Sequence, residues 1–284
     1  MTIVVEQAAD LSRGWAGGRR RCVVMTMGAL HDGHVALMRA AREAVGPDGS
    51  VVVTIFVNPT QFGPNEDFAR YPRTFEADLE HCRSAGVDTV FAPSVHEVYG
   101  NGIGFTDESV TISAGALGAS LEGAARPDHF RGMLTVVAKL MAMTRPDIAL
   151  YGEKDYQQLV LIRRMVADLD MSVDVRGVAT VRDPDGLAMS SRNRYLTPEQ
   201  RATALAIPAA LQAAAAAARD GAVAAERAGR AVLDAAAGLD VGYLAVTDPS
   251  LGAPPPQGEG RVLVAARVGS TRLIDNVPCR LGEQ

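Results

Sequence analysis

Short apolar runs alternate with stretches of helical spacing over the first two-thirds of the chain. Cys22 to Met27 is a run rich in β-branched and thioether side chains that stops at Gly28. Beyond it, Leu37, Met38 and Ala41 recur at helical spacing, which predicts a helix from His34 to Val45. Val51 to Val57 is apolar without interruption, the pattern of a strand covered on both faces. A helix fits Thr74 to Ala85, and Val87 to Ala92 reads as the next strand. Met133 to Met143 has a helical period, Asp147 to Tyr151 a strand pattern, and Tyr156 to Leu169 a largely buried helical one. Repeated strand–helix alternation predicts a parallel sheet with helices on both faces. The fold class expected is therefore α/β, a Rossmann-like doubly wound domain over residues 1–181.

The pattern changes after that. From Thr197, where Thr-Pro-Glu makes a good helix start, the chain is alanine-rich as far as Ala237. Gly221 is expected to split this stretch into two helices. Strand patterns follow at Val241 to Val246, Arg261 to Val268 and Thr271 to Val277, with Gly252 to Gly260 as a surface loop. Residues 182–284 thus read as a smaller α+β domain, expected to close over a site on the first.

Composition narrows the function classes. The chain has 284 residues, 48% of them hydrophobic and 21% charged, with a formal net charge of -5 and a pI near 5.6. An acidic protein without a basic excess is a poor fit for a nucleic-acid partner, although a local cationic pocket still suits a small polyanion. Three scattered cysteines, Cys22, Cys82 and Cys279, point neither to a disulfide framework nor to a metal site. The N-terminus lacks the apolar core of a signal peptide, and no uninterrupted apolar run is long enough for a bilayer. The expected setting is cytoplasmic, with no membrane partner.

Four segments carry candidate chemistry, each where a strand ends or the composition changes. Met27-Gly28-Ala29-Leu30-His31-Asp32-Gly33-His34 lies where the first long strand meets its helix. Backbone N–H groups and dipole potential at a helix start suit phosphate, and the glycines permit close approach. His34 and Val35 stand where a P-loop would have Lys and Ser/Thr, which argues against a kinase-type site. Two imidazoles in one turn instead suggest donors aimed at an α-phosphate. Taken alone, the pair reads more simply as a cap and a surface histidine. Asn58-Pro59-Thr60-Gln61 follows the second long strand, and Gln61 offers donors and an acceptor to an acid bearing hydroxyl groups. Gly152-Glu153-Lys154-Asp155 puts a cation for phosphate beside a carboxylate for a metal or a ribose, with Gln158 one turn on. Met189-Ser190-Ser191-Arg192, after Val181, offers hydroxyls and a guanidinium to a triphosphate.

In order and spacing the four segments resemble the pantothenate synthetase (pantoate–β-alanine ligase) family, and the likeness runs on through GLAMSSRNRYL to LVAARVGSTRLIDN. Arg126-Pro127-Asp128-His129-Phe130-Arg131-Gly132 is similar to that family's pantoate-side loop. One departure is Met25, where the family usually has proline, with a looser approach to the nucleotide loop expected. The resemblance implies ATP-dependent condensation of (R)-pantoate with β-alanine through a pantoyl-adenylate, with Mg²⁺ accompanying the triphosphate and a homodimeric assembly. It implies His34, His31 and Lys154 as catalytic groups and Gln61 and Gln158 as the pantoate ligands. Residues 27–34, 152–155, Val181 and 189–192 would bind ATP. Two other readings are a plain nucleotidyltransferase with the same histidine loop and a non-catalytic ATP sensor. Acid-dependent pyrophosphate release separates all three.

Overall fold

Strand formation in the first unit follows from β-branched runs too apolar to face water. The computed structural model describes residues 2–12, 18–63, 68–100 and 109–282. They form two compact units: Met1–Gly152 with Leu161–Val178, and Glu153–Val160 with Ala179–Gln284.

In the first unit, β1 (Ile3–Val5), β2 (Arg21–Thr26), β3 (Ser50–Ile55), β4 (Thr89–Phe91), β5 (Ile148–Gly152) and β6 (Asp174–Val178) make one sheet in the order β1-β4-β3-β2-β5-β6. Every pairing is parallel. Helices α1 (Asp32–Val45), α2 (Phe75–Ser84), α3 (Val95–Tyr99), α4 (Glu122–Ala125), α5 (His129–Thr144) and α6 (Tyr156–Asp168) connect or flank the strands. The α/β class and the doubly wound sheet are as the pattern predicts. The strand order turns back on itself between β2 and β5, and crevices at such switch points hold ligands beyond the carboxyl ends of the strands.

Burial holds this unit together. Cys22, Val24, Val51, Val53, Val90 and Ile148 are each fully buried in the sheet, with Met38 and Ala41 of α1 packed on them. At roughly 1.5–3 kcal/mol for each large aliphatic side chain removed from water, this cluster outweighs any surface ion pair. Cys22 and Cys82 belong to it, and burial pushes both thiols up to about 12, so they act as packing groups rather than nucleophiles.

The second unit stacks α7 (Pro198–Ala204), α8 (Ala206–Ala217) and α9 (Ala222–Asp234) on an antiparallel sheet of β7 (Leu239–Thr247), β8 (Gly258–Val268) and β9 (Thr271–Leu281). The alanine-rich stretch makes three helices rather than two. Pro208 has no N–H to give the Ala204 carbonyl, and its ring crowds that carbonyl, so the helix breaks at Leu205 as well as near Gly221. Small side chains are needed here because α8 and α9 nearly touch. A Cβ on Gly229 would lie 3.1 Å from the Ala210 carbonyl oxygen. The expected surface loop is shorter than the sequence suggests, since Gly258, Glu259 and Gly260 pair with β9. An 18-residue window within Pro198–Asp220 has a mean hydropathy of 1.2, enough by length and composition alone to cross a membrane. Here Ile207, Leu211 and Ala214 are spent on the core of this unit.

Segment Glu153–Val160 belongs with the second unit, ahead of the division expected at residue 181. The physical cause is a set of polar ties. Asn276 Nδ2 donates to the carbonyls of Glu153 and Lys154, and Arg261 pairs with Glu153.

Candidate active site

The first unit presents its chemistry where β2 gives way to α1. Gly28 (φ +80°) and Ala29 (φ +51°) are both left-handed, and for the non-glycine this costs about 1–2 kcal/mol. Asp78, at the start of α2 and almost completely buried, holds the bend in place. Its two oxygens accept from Ala29 N at 3.0 Å and Leu30 N at 2.8 Å, with Thr74 Oγ1 donating at 3.1 Å. A side chain at Gly28 would be strained at that φ and crowded as well, its Cβ 3.0 Å from Asp78 Oδ2. Sequence reasoning passed over Asp78. One more acid in the first turn of an acidic helix looks like a dipole partner, and only its burial reveals the other job.

Both histidines are placed by the helix start. His31 is the N-cap of α1, and its Nδ1 accepts from Gly33 N at 3.2 Å. His34 Nδ1 accepts from His31 N at 3.3 Å, and the two rings stand 4.1 Å apart. With Nδ1 used as acceptor in each, the proton of the neutral ring sits on Nε2, the tautomer required of a donor. Cap and ligand are therefore compatible roles for His31. Asp32 is exposed at the first helical position, where its charge suits the dipole.

Gln61 is buried beside this turn. Its Nε2 donates to Met27 Sδ at 3.1 Å, while Oε1 accepts from Asn58 Nδ2 at 3.0 Å. Asn58 Oδ1 in turn accepts from Tyr99 OH at 2.7 Å. The Gln61 carbonyl lies 2.8 Å from His129 Nδ1, which must be the donor there, leaving Nε2 to accept from Arg126 NH1 at 3.2 Å. The structure thus joins Gln61 to Met27 and to the Arg126–Gly132 segment. Met25 keeps its place in the ladder opposite Thr54, and its sulfur accepts from Tyr151 OH at 3.3 Å.

In the second unit, Glu153–Asp155 form one tight helical turn leading into α6, with Lys154 Nζ 3.6 Å from Asp155 Oδ2. Gln158 is half-buried one turn on. Val181 and Met189 come together, Met189 N donating to the Val181 carbonyl at 3.0 Å. Ser190 caps the turn Ser191–Tyr195, its Oγ accepting from Arg192 N at 3.3 Å. Asp183 accepts from Arg201 at 2.7 Å and from Asn193 Nδ2 at 3.4 Å, which fixes the loop ahead of the serines. Among the described residues no three His, Cys, Asp or Glu side chains gather as a metal site.

A sequence model of the Pantoate-beta-alanine ligase family matches residues 3–278. The chain belongs to the pantoate–β-alanine ligase family. It is 56% identical over 284 residues to a pantothenate synthetase of Nocardioides sp., covering 98% of this chain and 84% of that one. Among solved structures it is similar to the pantothenate synthetase of Thermus thermophilus, with a TM-score of 0.89, 44% identity, and coverage of 96% of this chain and 98% of that one. It is also similar to the pantoate-beta-alanine ligase of Francisella tularensis, solved with beta-gamma ATP and beta-alanine. There the TM-score is 0.79 and the identity 32%, over 98% of this chain and 97% of that one. Family membership makes the chain a ligase.

Proposed function

We propose that this chain condenses (R)-pantoate with β-alanine at an ATP-dependent site, through a pantoyl-adenylate, releasing AMP and pyrophosphate. The observation that carries the reading is the backbone N–H that each Nδ1 accepts, Gly33 N on His31 and His31 N on His34, which leaves Nε2 of each neutral ring to donate. Two neutral donors at a helix start suit an α-phosphate on which charge grows during attack by a carboxylate. The pantoate carboxylate attacks that phosphorus and pyrophosphate leaves. The β-alanine amine then attacks the acyl carbon and AMP leaves, so no covalent enzyme intermediate is required. What the protein supplies is orientation and charge stabilisation.

In this reading the backbone of residues 27–34 and the two imidazoles take the α-phosphate. Lys154, Ser190, Ser191 and Arg192 meet the outer phosphates, and Gly152, Glu153, Asp155, Val181 and Met189 complete the nucleotide contacts. Gln61 and Gln158 hold pantoate. The Gln61 amide carries a second proton besides the one given to Met27, and a substrate oxygen would take it. Mg²⁺ would accompany the triphosphate, and Asp155, whose carboxylate lies 3.6 Å from Lys154 Nζ, is the residue that would meet it. Bound there, Mg²⁺ would offset triphosphate charge. A homodimeric, cytoplasmic enzyme completes the proposal, on the family likeness.

The test is isotope exchange between ATP and pyrophosphate. Exchange should require (R)-pantoate and proceed without β-alanine. Exchange that strictly needs β-alanine would replace the two-step scheme by a concerted one. His34→Ala and Lys154→Ala should each lower the exchange rate on the order of a hundredfold without moving the melting temperature. Near-normal exchange in either variant removes that residue from the machinery.

A further inference from the structure

The segment LVAARVGSTRLIDN takes no part in the chemistry above, yet its last two residues reach both nucleotide-side segments of the second unit. Asn276, on β9 and almost fully buried, uses one carboxamide nitrogen twice. It donates to the Glu153 carbonyl and to the Lys154 carbonyl, each at 2.9 Å. Its Oδ1 accepts from Arg261 Nε of β8 at 2.7 Å. The other end of that guanidinium donates to Glu153 Oε2 at 2.9 Å, and its plane lies 3.9 Å over the Tyr156 ring. Tyr156 OH is tied in turn to the Pro249 carbonyl at 2.9 Å. Asp275, the neighbouring residue, grips Arg182 with both oxygens at 2.7 and 3.0 Å. Arg182 adjoins Val181 and pairs with Ala188, immediately before Met189.

We propose that Asn276, with Arg261, is a positioning residue for Lys154, and that the Asp275–Asn276 pair registers the Lys154 turn against the Met189–Arg192 segment. The proposal rests on the reading of Lys154 as a phosphate ligand. A lysine is a point charge on a flexible stem, so the place of its backbone decides whether the ammonium meets the transferring phosphates. The turn that carries it, Glu153–Asp155, is only three residues long, so rigidity supplied from outside the turn bears directly on its placement. Two carbonyls held by one buried amide, and one carboxylate held by a stacked guanidinium, provide it from the sheet. The geometry also explains the chemistry at position 276. Aspartate has the same shape but would turn two donors into acceptors facing two carbonyls.

A double-mutant cycle tests this, with ATP–pyrophosphate exchange as the readout. Asn276→Ala should raise KM for ATP and lower the exchange rate by about tenfold or more, and Asn276→Asp should do the same, while KM for β-alanine in the full reaction stays put. Added to Lys154→Ala, either change should cost little further, because the group it positions is gone. Multiplying losses, or equal rises in both KM values, would mean a general structural role and overturn the proposal. If Lys154→Ala alone leaves exchange intact, the reading of Lys154 fails. If Lys154→Ala is crippled and Asn276→Ala is normal, only the positioning role fails. Should the Asn276 variants not fold, Arg261→Gln in the same cycle decides, since it removes the stack and the grip on Glu153 while leaving the Asn276 amide. The same non-additivity is expected, and simple multiplication would again overturn the proposal.

Discussion

At Asp78 a single carboxylate decides the shape of the turn between β2 and α1. It accepts two consecutive backbone N–H groups from a bend that includes a left-handed alanine, and a strained bend persists only where its surroundings over-determine it. Asp78→Asn keeps the size but leaves one acceptor where two N–H donors and a hydroxyl now converge. An amide N–H group must then face a backbone N–H. Leaving a buried donor unpaired costs about 1–3 kcal/mol, so the variant should melt several degrees lower. The larger effect belongs to chemistry. His31 and His34 follow directly on the bend, and their Nε2 atoms should lose register with the α-phosphate. Pantoate-dependent exchange is expected to fall at least tenfold, with KM for β-alanine unchanged. A variant that melts lower yet exchanges at the normal rate would confine Asp78 to stability.

Among the elements, α5 and the Pro59–Gln61 turn illustrate what pattern reading could reach and what it could not. The long α/β alternation was legible because Val51 to Val53 and Ile148 to Leu150 are too apolar for any exposed conformation. The short edge strands were not. Ile3–Val5 has three residues with two of them exposed, and Asp174–Val178 mixes charge with glycine, so neither carries a period. The break at Leu205 was legible in Pro208 and passed over. Gln61 was legible as a polar residue after a buried strand, but its support from Asn58, Tyr99 and His129 depends on residues distant in sequence. Gly132 shows the same dependence. It lies within α5, where glycine costs up to about 1 kcal/mol relative to alanine, so propensity alone recommends replacing it. Yet a Cβ there would fall 2.1 Å from the Thr60 carbonyl oxygen, and backbone cannot rotate aside. Gly132→Ala should therefore destabilise by about 1–3 kcal/mol, and KM for pantoate should rise as the turn bearing Gln61 is pushed away. Chemical denaturation and exchange kinetics measure the two effects. A more stable variant with normal pantoate affinity would show that propensity outweighs the contact.

For the molecule as a whole, the residues of the proposed site divide as the chain does. His31, His34 and Gln61 belong to the first unit, whereas Lys154, Gln158 and Ser190 to Arg192 belong to the second. The sequence alone assigns Lys154 to the first domain, because it follows a strand of the parallel sheet. The ties from Asn276 and Arg261 place its turn in the second unit instead. If ATP engages phosphate ligands of both units, nucleotide should slow hydrogen exchange in two places far apart in sequence. Peptides over residues 28–35 and over 189–193 are the ones to follow, with and without MgATP. Protection in both is expected, since the proposed function puts backbone N–H groups of each loop near bound phosphate, and a ligand suppresses local opening. A peptide from β7, which has no assigned contact with nucleotide, serves as the internal reference. The variant Ser190→Ala with Ser191→Ala should lose protection at 189–193 and keep it at 28–35. It should also form more AMP per pantothenate, because an adenylate less well shielded meets water. Protection limited to residues 28–35 in the unaltered enzyme would remove the second unit's serines and Arg192 from the ATP site. Protection spread evenly to the β7 peptide would instead mean global stabilisation, and would leave neither loop assigned.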